Sequence, residues 1–153
     1  MDEDEFKATY LSLNSRVCPF EKVILSRQCD CSRAARIFIA ERQAVGCDAD
    51  APQQQCLALL QLLRSNANFA LKITSATNRL PHAKEMKLQA GGLLGLQRAL
   101  QPEYATSAQI DDIHGLINLA KTTYGELADL PYSEIVQAIA AYQGRRSGGR
   151  RGE

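Results

Sequence analysis

Tryptophan is absent from this chain, histidine and methionine occur twice each, and aromatic residues make up only 6% of it. So low an aromatic share leans toward helices rather than sheets. Long apolar runs are missing too. Nothing approaches the roughly 20 residues that a bilayer-crossing helix needs, so no membrane insertion is expected. The opening Met1-Asp2-Glu3-Asp4-Glu5 is the opposite of a signal peptide, which needs positive charge followed by an apolar core. The expected compartment is therefore the cytoplasm, where thiols stay reduced.

Motifs for catalysis are equally lacking. There is no Gly-rich phosphate loop after a strand, no G-x-S-x-G elbow and no H-E-x-x-H. Ala90-Gly-Gly-Leu-Leu-Gly95 lies in apolar company and lacks the Lys-Ser/Thr that would hold a nucleotide. Asp48, Asp50 and the pair Asp111-Asp112 fall at helix starts, where acids suit the helix dipole without any catalytic role. An enzyme is not expected.

The 153 residues, 45% hydrophobic and 23% charged, are the size and composition of one globular domain. Charge is unevenly spread. Arg145, Arg146, Arg150 and Arg151 stand in a Gly/Arg-rich tail over 145–153, which is expected to be disordered. With that tail set aside, 14 basic and 16 acidic residues remain, a net charge of −2. A slightly acidic body has no electrostatic footprint for nucleic acid. The tail alone could touch RNA, DNA or an acidic partner.

Apolar spacing predicts an all-α fold, a single bundle of about six or seven helices over 1–144. A cysteine-bearing part spans 18–56 and a leucine-rich part 57–144. Phe6, Tyr10 and Leu13 mark a first helix over 3–13. Cys18-Pro19 opens a short second one with Phe20, Val23 and Ile24. Ser32 can cap a third over 33–45. The run Arg36-Ile-Phe-Ile-Ala40 could also form a strand, but a lone strand has no partner. A fourth helix runs from Asp50 through Cys56 and the leucines toward Ile73. Pro81 begins a helix to Leu100, whose interior Gly91, Gly92 and Gly95 imply close helix–helix approach. Ser107 caps a helix ending at Gly125, and a last helix holds Ile135, Val136, Ile139 and Tyr142.

What the chain does have is five cysteines gathered into residues 18–56 and none elsewhere. They are Cys18, Cys29, Cys31, Cys47 and Cys56, in the spacing C-x10-C-x-C-x15-C-x8-C. Five are too few for a disulfide scaffold, and the spacings do not place two pairs on facing helices. Thiolates are soft ligands that suit zinc or iron–sulfur clusters. Zinc sites usually show two close pairs, and here there is one, Cys29-Asp30-Cys31. His82 and His114 have no ligand spacing to the cysteines and read as surface residues.

The function expected is that of a small cytosolic metal-binding protein holding an iron–sulfur cluster, of the 4Fe-4S type. It would serve electron transfer, redox sensing or assembly of a redox enzyme with a protein partner. Cys18, Cys29 and Cys31 are the expected ligands, with Cys47 or Cys56 as the fourth. A straight helix of about 12 residues has its ends roughly 18 Å apart, which argues against Cys47 joining Cys31. Cys56, on an apolar face, could equally be a buried hydrophobe. The alternatives are a zinc-stabilised module, a metal-free helical adaptor binding through its Leu/Gly surface near 81–100, and a nucleic-acid accessory protein using the arginine tail.

Overall fold

The structure is a computed structural model that describes residues 2–73 and 79–144. The Gly/Arg tail over 145–153, and most of the connection expected after Ile73, lie outside the described residues.

The chain begins with α1 (Glu3–Leu13), closed by a capping box: Asp2 Oδ1 accepts the Glu5 N–H at 2.7 Å, and Glu5 Oε2 accepts the Asp2 N–H at 3.3 Å. None of its residues is buried. It is tied to the body by polar contacts, Tyr10 Oη donating to Glu21 at 2.8 Å and Arg42 bonding Glu3 at 3.1 Å while lying over the Phe6 ring. A short α2 (Glu21–Leu25) then contributes Val23 and Ile24, with Phe20 before it, to the core.

The all-α expectation fails at residues 33–45. There the chain forms an antiparallel hairpin, β1 (Ala34–Ile39) and β2 (Arg42–Cys47), so the fold mixes helices with a two-stranded sheet. The missing partner of the strand candidate is the segment directly after it, which the helix reading had absorbed. Ile37, Phe38 and Ile39 are β-formers, and Ala40-Glu41 is a two-residue turn between the paired Ile39 and Arg42. Ala40 takes φ 56°, a left-handed conformation that alanine adopts at a cost of about 1–2 kcal/mol and that glycine would signal openly.

β2 is bonded on its other side as well. The Cys18 N–H donates to Val45 O at 3.0 Å and the Cys47 N–H to Arg16 O at 2.7 Å, while the buried Asn14 side chain donates to Val45 O. Gly46 is required at this seam, because a Cβ would collide with Asn14 Oδ1 and meet Arg16 O at 3.0 Å.

After the hairpin, α3 (Asp50–Ala67) buries Cys56, Leu59, Leu63 and Ala67, and ends six residues before Ile73 rather than reaching it. The helix expected from Pro81 to Leu100 is three pieces: α4 (His82–Met86), a π-helical turn (Lys87–Gly91) and α5 (Gly92–Leu100). Next comes α6 (Ile113–Tyr124), whose N-cap is Asp112, not Ser107. Then α7 (Tyr132–Ala141) lies against α5, and the glycine reading holds at this contact. A Cβ on Gly91 would stand 2.7 Å from Ile139 Cα, and one on Gly95 would stand 2.8 Å from Ala138 Cβ. Leu88, Leu93, Leu94 and Leu96 are buried, so the Leu/Gly surface offered to a partner near 81–100 is interior instead. One core runs from Cys18 and Phe20 through Leu63 and Leu93 to Ile139. Among the described residues no helix is long and apolar enough to cross a membrane.

Candidate metal centre

The hairpin removes the objection to Cys47. In a helix, Cys31 and Cys47 would stand at opposite ends; in the hairpin, Ala34 is paired directly with Cys47, and Cys31 lies just before Ala34. The junction is tightened by the Asp48 N–H donating to Arg33 O at 3.0 Å and by an Arg33–Asp48 ion pair at 3.5 Å.

Cys18 reaches the same place by another route, since its backbone is bonded to Val45, two residues from Cys47. Cys56 comes from the second turn of α3. The start of that helix is held by Arg16 bonding Asp50 at 3.0 Å and by Gln53 Nε2 donating to Val17 O at 3.0 Å. The outcome is one small cavity, about 10 Å³, whose walls include Cys18, Cys31, Cys47 and Cys56. Ala34, Gly46, Pro52, Gln53, Ile113 and His114 complete much of the lining.

Cys29 is not in this wall. It is buried, 4% exposed, on a stretch that pairs with Ile110, and it borders a separate, polar groove with Leu25, Arg27, Arg36 and Phe38. Of the five cysteines the structure therefore gathers four and sets one apart. All five are free thiols.

Residues 30–32 are docked on the start of α6. The Ile113 N–H donates to Asp30 O at 2.9 Å, and Asp112 Oδ1 accepts the Ser32 N–H at 2.8 Å. This places Cys31 at the unpaired N–H groups that open a helix. Its sulfur accepts the Arg33 N–H at 3.4 Å and the backbone N–H of His114. The Phe20 N–H serves Cys18 in the same way. Both Cys18 and Cys31 thus accept from the residue two positions on, an arrangement that steadies sulfur when it carries charge.

The electrostatics without a cation run the other way. Burial pushes the Cys18 thiol up to about 12, and Cys31 and Cys47 add to the rise as like charges, against the pull of the Phe20 N–H. Burial also lifts Cys56 to about 12, with Cys18, Cys31 and Cys47 contributing. Cys31 is raised by burial against the help of its two N–H donors. Each of these thiols is thus raised in part by others of the four. Such a group stays protonated at neutral pH until a cation compensates it, and binding then releases protons.

The sequence reads His114 as a surface histidine; it is half-buried, lines the cavity, and has its Nδ1 buried without a hydrogen-bond partner. The available signal was its place two residues after Asp112, where a helix start presents N–H groups.

A single zinc ion would draw four sulfurs to about 2.3 Å from one point. Among the described residues, no group of three or more His, Cys, Asp or Glu side chains is placed to hold a metal ion. The four cysteines share the lining of one cavity with room for about one water. No protein-family model, curated protein or solved structure matches the chain.

Proposed function

We propose that this protein holds an iron–sulfur cluster through Cys18, Cys31, Cys47 and Cys56, and that it carries or senses electrons for a protein partner in the cytoplasm. The observation that carries this reading is the meeting of four thiols, from four separate segments, around one cavity. Four cysteine ligands are the usual complement of such clusters. The backbone N–H groups of Phe20, Arg33 and His114 add support, because N–H donors to sulfur stabilise the negative charge of a thiolate-bound cluster. The void of about 10 Å³ has room for about one water, so loading a cluster requires the four segments to part around it. When bound, the cluster supplies one-electron chemistry. The protein's part is to fix the sulfurs between α3, β2 and α6, and to bury Cys18 and Cys56 while Cys31 and Cys47 stay partly exposed toward a partner.

The test is purification without oxygen, or reconstitution with ferrous iron and sulfide, followed by absorption spectra and metal analysis. A coloured protein with iron and sulfide in equal amounts is expected. The colour should be lost in Cys18→Ser, Cys31→Ser, Cys47→Ser and Cys56→Ser and kept in Cys29→Ser. Colourless protein carrying zinc would replace the cluster by a structural ion on the same four thiols. Protein without metal would end the reading altogether.

A further inference from the structure

One buried polar atom in the cysteine cavity has no structural use. His114 lines the cavity beside Cys18, Cys31, Cys47 and Cys56, and its Nδ1 is buried and unpartnered. The other ring nitrogen, Nε2, lies 3.1 Å from Asn118 Nδ2, one helical turn along α6. With the Asn118 amide nitrogen donating to Nε2, the neutral ring carries its proton on Nδ1. In that tautomer a residue lining the four-cysteine cavity carries a buried donor with no partner. The backbone of the same residue already donates to Cys31.

We propose that in the loaded protein the His114 ring donates from Nδ1 to a sulfur of the centre, making His114 a positioning and tuning residue rather than a ligand. The inference rests on the four-thiol reading above. Anionic sulfur accepts more strongly than a neutral thiol, so the bond strengthens on loading. It also favours the more negative, reduced state of a cluster, which raises the reduction potential. A donating Asn118 amide favours the tautomer that this bond needs, as outer partners of metal sites commonly do.

The experiment compares wild type, His114→Leu and His114→Asn, loaded identically. It measures metal and sulfide content, the rate of metal loss to a chelator and, for iron-loaded protein, the midpoint potential. All three are expected to load fully. His114→Leu should release metal about tenfold faster, and its midpoint potential should fall by about 59 mV, the equivalent of tenfold for a one-electron couple. His114→Asn, which keeps a donor near the Nδ1 position, should stay close to wild type in both.

Identical behaviour of wild type and His114→Leu overturns the inference, as does His114→Asn failing along with His114→Leu. So does a His114→Leu protein that cannot load while Cys29→Ser does, since the ring would then be a ligand. Zinc-loaded wild type would refute the cluster, and the release rate would still judge the histidine. Wild type that takes up no metal removes both.

Discussion

The two parts of this molecule are held together by different means. In the leucine-rich part, the π-helical turn and α5 approach α7 so closely that Gly91 and Gly95 have no room for a methyl group, and Leu63 and Leu93 are almost wholly enclosed. Contact of that kind is sufficient in itself, because apolar area removed from water and dense packing stabilise the helices directly. The cysteine-bearing part is assembled from a five-residue helix, two six-residue strands and extended segments. It joins the core through Phe20, Val23, Ile24 and Val45, and adds backbone bonds such as Cys18 to Val45, the side chains of Asn14 and Asp112, and a cavity lined by four cysteines. A short hairpin of this kind is marginal alone. A cofactor held as proposed would add a further tie to segments that Phe20, Val23, Ile24 and Val45 already anchor in the shared core.

The comparison can be broken most forcefully at the centre. Stripping the metal from loaded protein is expected to cost at least ~3 kcal/mol, the linkage value for ligand at a hundred times its dissociation constant. Hydrogen exchange should then accelerate over residues 14–48, with the amides of α5 and α7 still protected. Uniform acceleration across both parts would show that they do not differ as described. Next in size is the packed side. Leu63→Ala should destabilise by about 3 kcal/mol in thermal or denaturant unfolding, by the same amount with and without metal. Gly91→Ala, which drives a methyl group against Ile139 Cα, is expected to cost about 2 kcal/mol.

Smaller effects sharpen the picture on the hairpin side. Ala40→Gly relieves the left-handed turn and should stabilise by about 1 kcal/mol, a gain seen as a higher midpoint in denaturant.

The least effect is expected at Asp112. Partial burial raises its carboxyl, but the hydrogen bonds from Ser32 and Gly115 outweigh this and hold it below the usual carboxylate range. A depressed folded value means that the unfolded chain binds the proton first as pH falls. Asp112 therefore contributes stability above the unfolded value of about 4 and loses it as pH drops through the folded one. Asp112→Asn should flatten the acid limb of a stability–pH curve and leave the alkaline limb unchanged.

Much of the helical part was legible because helices there obey apolar spacing. Leu59 and Leu63, Ile113 and Ile117, Ile135 and Ile139 each fall on one buried face, and the interior glycines announced a close contact that exists. The hairpin was hidden by two things. Its turn uses Ala40-Glu41, with none of the Gly or Asn that would advertise a left-handed residue. Its second strand, Arg42–Cys47, is too polar at one end to show alternation. Misreading that segment displaced Cys47, because only a hairpin carries the chain back to where it began. The pull of Cys29-Asp30-Cys31 as a pair misled in the other direction. Adjacent spacing suggested shared work, whereas Cys29 lines another groove. Cys18 and Cys56 could be named as candidates, but their meeting depends on β2 and α3 lying side by side, which no local pattern encodes.

The hairpin also has a consequence in time. Cys31 and Cys47 are brought near each other by contacts between chain neighbours, an event that takes about 1–10 μs in isolated hairpins. Cys18 must wait for its segment to dock along β2, and Cys56 for α3 to settle on the core. Loop closure of that longer range is slower to arrive. For an iron or zinc ion taken up as proposed, a two-thiol clasp of Cys31 and Cys47 would form before Cys18 and Cys56 complete the lining.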